Sequence, residues 1–211
     1  MHPNDQTVQA FDASAARYAA KYFDLRMYDA FYSAFLDLLP APDCSVLDLA
    51  CGPGSVAAYV RAHRHNARLV CADASPAMLQ EAGSRVPGAA LMQLDCRDLS
   101  ALNQQFHGIA FCFGLSYFDH ADARMVLGQI ASKLHHQGAL LLSSVTGDGP
   151  EPTMSVGEQG TRVVTYLRTP ADIQEMVTQA GFAVLSSHCV PSPENASVQT
   201  TDVVLLARKV S

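Results

Sequence analysis

Five short apolar runs separated by segments of helical character, all between residues 45 and 145, constrain this chain more than any other feature. The runs are Ser45–Ala50, Arg68–Asp73, Ala89–Leu94, Gly108–Phe113 and Ala139–Val145. The segment 55–65 reads as helix. A second helix opens at Ser75-Pro76, with Ser75 as its cap and Pro76 at the first helical position. A third is expected over 120–136, closed by Gly138. Strands that alternate with helices build a parallel sheet covered on both faces. Strands buried on both faces must be apolar nearly throughout, as these are.

The flanks read differently. Residues 5–39 have helical spacing, with Phe11, Ala15, Tyr18 and Tyr22 in one stretch. Met27, Phe31, Phe35 and Leu38 follow in another, and Pro40 and Pro42 end it. Residues 146–160 are rich in Gly, Pro, Ser and acids and read as a loop. A helix starts at Thr169-Pro170 and ends near Gly181. Two strands, Phe182–Leu185 and Asp202–Ala207, are joined without a helix, so they are expected to be antiparallel.

Composition narrows the classes of function. The 211 residues suit one domain, and 49% of them are hydrophobic. The formal net charge of -6 and the lack of a Lys/Arg run argue against a nucleic-acid partner, whose binding depends on neutralising phosphates. The basic cluster from Arg61 to Arg68 reads as a solvated helix end. None of the six cysteines forms a C-x-x-C pair, so no metal site is expected. With no apolar leader and no long apolar window, the expectation is a cytoplasmic protein without membrane contact.

The first apolar run leads into Asp48-Leu-Ala50-Cys-Gly52-Pro-Gly54-Ser55. A glycine-rich turn between a parallel strand and a helix lets a ligand approach the backbone closely. Gly52-x-Gly54-x-x-Ala57 fits the dinucleotide fingerprint, so the turn alone leaves the ligand open. Asp73 closes the second run, 21 residues after Gly52. A carboxylate there can accept hydrogen bonds from vicinal ribose hydroxyls, and it can equally cap the helix at Ser75-Pro76. The third run ends in Leu94-Asp95-Cys96-Arg97-Asp98-Leu99.

With these three elements in order, the chain resembles the class I S-adenosylmethionine-dependent methyltransferases, in the small single-domain bacterial form. Ile130–Leu142, with Gly138 before the fifth run, and Ala180-Gly181-Phe182 extend the likeness, which covers roughly residues 44–208. The chain departs from the family's pattern at Ala50 and Leu94, where glycine is usual, and at Cys96, where alanine is usual. The resemblance implies a Rossmann-like, doubly wound α/β fold. Its seven-stranded sheet would have the order 3-2-1-4-5-7-6, with the last strand antiparallel and helices on both faces. One methyltransferase domain would span 1–211, with 1–40 as a helical lid, 44–145 as the cofactor half and 146–211 as the acceptor half.

The resemblance also implies roles. Gly52 and Gly54 would line the methionine end of S-adenosyl-L-methionine, with Ala50 in the same turn. Asp48 would position that turn or meet the cofactor's ammonium. Asp73 would hold the ribose hydroxyls, and Ala74 and Met78 would pack on the adenine. Asp95 would accept from the adenine amino group, and the Cys96 backbone N–H would donate to the ring. Phe113 and Tyr117, after the fourth strand, would flank the methionine and the acceptor. Among the N-terminal tyrosines Tyr18, Tyr22 and Tyr28, a lid is expected to place Tyr18 or Tyr28 on the ligand. The reaction would be in-line methyl transfer to a small molecule, leaving S-adenosyl-L-homocysteine, by a monomer or homodimer. No residue stands out as a catalytic base. Tyr117 and His120 are the candidates, and Tyr166 and Arg168 could reach an acidic acceptor.

Two other functions fit parts of the pattern. The Gly52/Gly54/Ala57 spacing allows an NAD(P)-dependent oxidoreductase, against which stand Asp95 and the absence of a Tyr-x-x-x-Lys set. A non-catalytic S-adenosylmethionine-binding protein would keep the same motifs.

Overall fold

A computed structural model describes residues 3–40, 43–149, 152–156, 160–196 and 198–210. The N-terminal region folds as α1 (Pro3–Tyr22), a 3-10 turn (Arg26–Tyr28) and α2 (Asp29–Asp37). Pro40 lies beyond the end of α2, and Pro42 is outside the described residues. The alternating region then gives β1 (Ser45–Leu49), α3 (Ser55–His63), β2 (Arg68–Asp73), α4 (Pro76–Arg85), β3 (Ala90–Gln93) and β4 (Phe106–Cys112). A 3-10 turn (Leu115–Tyr117), α5 (His120–Lys133) and β5 (Leu134–Thr146) follow. The last third contains β6 (Thr153–Val156), β7 (Arg162–Thr165), α6 (Pro170–Gln179), β8 (Phe182–Pro191) and β9 (Thr201–Lys209).

The main sheet has the order β3-β2-β1-β4-β5-β9-β8. Strands β1 to β5 are mutually parallel, and β9 runs antiparallel to both β5 and β8. This is the expected doubly wound sheet. Alternate residues of each strand feed two cores. Leu47 and Leu49 join α5 and α6 on one face, whereas Val46 joins α2, α3 and α4 on the other. Asp48 shares the second face with Val46, and it therefore points toward α3.

Helix boundaries follow local chemistry. Ser75 Oγ accepts from the Met78 N–H at 3.1 Å and caps α4, with Pro76 next. Thr169 and Asp172 form a reciprocal capping box at the start of α6. Among the described residues, no helix is long and apolar enough to cross a membrane.

The structure corrects the sequence reading in three places. The segment 146–160 is not all loop, because β6 pairs with β7 in an antiparallel hairpin. Its Thr, Val and Met residues suit strands, while the surrounding Gly and Pro residues dominated the sequence signal. Helix α5 stops at Lys133, short of the expected 136. Leu134 is fully buried and pairs with Phe106, which draws the chain into β5 five residues early. Finally, β3 is not buried on both faces as the strands were read to be: at the sheet edge, where the expected order puts it, Ala90, Leu91 and Gln93 are exposed.

Gly108, in the middle of β4, lets α2 lie close to the sheet. A Cβ there would stand 2.6 Å from both Leu39 Cδ2 and Phe35 Cζ. Phe35 is fully buried and has no room to retreat. Gly108→Ala is therefore expected to lower stability by about 1–3 kcal/mol, the range for overpacking a dense core. Urea unfolding of the two proteins measures it.

Candidate functional site

The site lies at the carboxyl ends of β1, β2 and β4, where the strand order reverses and open α/β sheets bind ligands. The turn after β1 holds three residues in the left-handed region: Ala50 (φ 51°), Gly52 (φ 52°) and Gly54 (φ 86°). Ala50 thus takes the left-handed backbone at the position where the resemblance has glycine. The cost of a Cβ there is about 1–2 kcal/mol. Phe113, beyond β4, has φ 61° and is fixed by its N–H to Ser143 C=O at 2.8 Å.

Hydrogen bonds lock the turn. The Gly52 N–H donates to Asp73 Oδ2 at 2.9 Å, and the Ser75 N–H donates to Asp73 Oδ1 at 2.9 Å. One carboxylate therefore ties the β1 turn to the start of α4. Behind the turn, Asp48 Oδ2 accepts from the Ala57 N–H at 3.0 Å. Burial raises the Asp48 carboxyl to about 7; the Ala57 N–H opposes the shift and the nearby Asp73 charge adds to it. Asp73 is also raised, mainly by burial, against the pull of its backbone donors.

Most of the sequence-predicted residues meet around one cavity. Gly52, Asp73, Ala74 and Met78 form one side of it, and Asp95 and Cys96 another. Ala50, Tyr18, Phe113 and Tyr117 complete it. Asp48 and Tyr28 stand on the far side of Gly52, in an adjoining recess shared with Tyr18, Tyr22 and Phe113. Asp95 is held by Arg97, whose Nη2 lies 2.6 Å from Asp95 Oδ2, and Arg97 also reaches Asp122 at 3.4 Å.

Four expected contributors lie elsewhere: Gly54, His120, Tyr166 and Arg168. Gly54 lines neither space; its missing side chain lets α3 approach α4, since a Cβ would stand 3.0 Å from Val86 Cγ2. His120 is exposed and begins α5, whose cap is Asp119, accepting from the Asp122 N–H at 2.8 Å. It lines a separate hollow with Tyr166 and Arg168. The Arg168 guanidinium is committed to the backbone, donating to the carbonyls of Leu115, Tyr166 and Phe118 at 2.7–3.3 Å. It fastens the segment after β4 and is not extended toward a ligand. Burial pushes the Tyr117 phenol up to about 12, so it stays protonated near neutral pH and is a wall or a donor rather than a base.

Helix α1 roofs the cavity with residues that the sequence did not single out as contacts. Thr7, Val8 and Phe11 line it. Phe11 meets Tyr117 edge-on at 5.1 Å and Tyr18 at 5.6 Å. Asp12 Oδ1 accepts from Ser75 Oγ at 2.7 Å and from the Ala77 N–H at 2.9 Å, clasping α1 to the first turn of α4. On its other side α1 touches the hairpin, where the Val164 N–H donates to Thr7 Oγ1 at 3.4 Å.

A second cavity of about 500 Å3 opens beyond Tyr18, Phe113 and Tyr117. Its other walls come from β5, the β6–β7 hairpin and the segment before β9: Val145, Met154, Leu167, Pro193 and Val198 among them. Asp202, at the start of β9, is one of its polar walls. The sequence signal for it was an acid beginning the apolar run Asp202–Ala207.

Two substitutions test this geometry. Ala50→Gly relieves the left-handed alanine and is expected to raise stability by about 1 kcal/mol in urea unfolding. Asp48 is raised in the folded state, so its contribution to stability is full below its unfolded value of 3.8 and is lost as pH rises through about 7. Asp48→Asn is expected to flatten that fall, as read from melting temperatures between about pH 4 and pH 8.

Comparisons with known proteins agree with this architecture. Residues 46–138 match the family described as a methyltransferase domain. No curated protein matches the sequence. Among solved structures, the DhpI–SAH complex aligns with 22% identity and a TM-score of 0.71, covering 98% of this chain and 97% of that one. The Burkholderia thailandensis 1,6-didemethyltoxoflavin-N1-methyltransferase, with 1,6-didemethyltoxoflavin and S-adenosylhomocysteine bound, aligns with 20% identity and a TM-score of 0.74, covering 98% and 88%. A S-adenosylmethionine-dependent methyltransferase from Clostridium acetobutylicum aligns with 16% identity and a TM-score of 0.71, covering 95% and 99%. Residues 46–138 are thus similar to a methyltransferase domain, and the chain shares the fold of these solved methyltransferases along nearly its whole length.

Proposed function

We propose that this protein binds S-adenosylmethionine in the cavity beside Gly52 and transfers its methyl group to a small molecule in the adjoining cavity. The observation that carries the reading is the chemistry of the first cavity. Two carboxylates, Asp73 and Asp95, line it with the rings of Phe11, Tyr18, Phe113 and Tyr117. Among the described residues, no Lys, Arg or His lines it. That combination suits a nucleoside carrying positive charge, because aromatic faces and carboxylates both attract cations. It suits a dinucleotide pyrophosphate poorly, which weighs against a nicotinamide cofactor.

The residues present fit the cofactor. A Cβ built on Gly52 meets no protein atom within 4 Å, so the space beside that backbone is open to a ligand. Asp73 gives one lone pair on each oxygen to a backbone N–H and keeps others for vicinal hydroxyls. Ala74 and Met78 offer an apolar face for the adenine, with Asp95 and the Cys96 N–H at its polar edge. Asp48 holds the glycine turn through the Ala57 N–H. When bound, the sulfonium supplies an already activated methyl group. The protein's part is to align and to exclude water, which in favourable cases contributes roughly 7–11 kcal/mol. Residues 1–40 serve as the lid, 44–145 as the cofactor half and 146–211 as the acceptor half. Tyr18, Phe113 and Tyr117 border both cavities and orient the two ligands toward each other. The second cavity, at about 500 Å3, falls within the roughly 300–1,000 Å3 of small-molecule sites.

The test is a calorimetric titration of the wild type with S-adenosylmethionine, S-adenosylhomocysteine and NADH. The adenosyl ligands are expected to bind. Asp73→Ala is expected to weaken them about ten-fold or more, because a charge-assisted hydrogen bond contributes about 1.5–3 kcal/mol. Binding of NADH alone would sink the proposal. Melting curves establish that the variant is folded, since Asp73 also holds two backbone N–H groups.

A further inference from the structure

Asp202 is the one described carboxylate with an oxygen that is both buried and unpartnered. It is 1% exposed at the start of β9, registered between Val145 of β5 and Val190 of β8. Its Oδ2 accepts from the Tyr28 hydroxyl at 2.7 Å. Its Oδ1 has no protein donor. Burial raises its carboxyl, and the Tyr28 hydrogen bond only partly opposes that.

A carboxylate in such a place is costly to the fold unless it is paired, and here the pairing is half complete. A neutral acceptor would satisfy Tyr28 equally well, so supporting Tyr28 does not account for a charge. Position gives the charge a use. Asp202 and Tyr28 are walls of the second cavity, beside Ser116 and Tyr117. Tyr18 lines this cavity and the first one, so it stands at the boundary between the two sites. The rest of the cavity is chiefly apolar and aromatic.

We propose that Asp202, steadied by Tyr28, is the recognition group for the methyl acceptor, taking a hydrogen bond on Oδ1 from an acceptor N–H or O–H. The acceptor class that follows is a small, largely apolar ring system bearing at least one such donor. The inference rests on the methyltransferase reading and adds the polar anchor that sets which molecules are accepted.

Matched fragment pairs test it: phenol against anisole, and indole against 1-methylindole, titrated by NMR into protein saturated with S-adenosylhomocysteine. Wild type is expected to bind the donor-bearing member of each pair several-fold more tightly. Asp202→Leu combined with Tyr28→Phe removes both polar groups and leaves no orphan; in the double variant saturated with S-adenosylhomocysteine the preference is expected to vanish. Asp202→Asn keeps the shape without the charge, and is expected to lower the preference at least three-fold and to raise the melting temperature at pH 8. Should the double variant not fold, Asp202→Asn decides alone. An unchanged preference in the folded variants overturns the assignment of Asp202, as does a wild type that binds both members equally. A wild type that binds no S-adenosylhomocysteine overturns the function itself, so the two failures are distinct.

Discussion

The Asp73 carboxylate is the point on which the site depends. It sits at the end of β2 and fixes the backbone N–H of Gly52 on one side and of Ser75 on the other. The turn after β1 and the first turn of α4 therefore move as one body. Ser75 extends the connection: it accepts from Met78 to cap α4 and donates to Asp12 of α1. Floor, wall and roof of the cavity are joined through two adjacent side-chain hubs. The backbone is preorganised before any ligand arrives, and such preorganisation is what a positioning enzyme requires.

Strain collects at the same place. Among the described residues, the non-glycine residues with positive φ are Ala50, Phe113 and Gln137; Ala50 borders the first cavity and the recess, and Phe113 borders both cavities and the recess. Phe113 is held there by Ser143, and Ala50 by the turn that Asp73 fixes. A left-handed residue persists only where its surroundings over-determine it. Here the strain sits in the segments that leave β1 and β4, and both strained residues line the first cavity.

The sheet and most of the first cavity were legible in the sequence because each signal there is local. Apolar runs, the Gly52-Pro-Gly54 turn, Asp73 and the Ser75-Pro76 cap all act within a few residues of where they are read. What escaped depends on distant partners. Asp12 and Ser75 are 63 residues apart, and Tyr28 and Asp202 are 174 apart. Neither pairing leaves a trace in periodicity. Arg168 looked like a ligand for an acidic acceptor because it stands beside the Thr169 cap; only the fold shows its guanidinium spent on three carbonyls. The hairpin of β6 and β7 was hidden because a few β-formers were outnumbered by glycine, proline and acids.

Helix α1 covers both cavities and is fastened at its flanks by polar clasps: Asp12 on α4, Thr7 on β7, and the Asn195 amide on the Lys21 carbonyl at 2.8 Å. The Asn195 contact is exposed and the other two are only partly buried, so together they open at modest cost compared with a buried core. Because one rigid helix serves both spaces, opening it exposes both at once. On the proposed function, spent cofactor and finished product would then leave through a single event, and how long either stays bound would be set by that helix rather than by its own contacts.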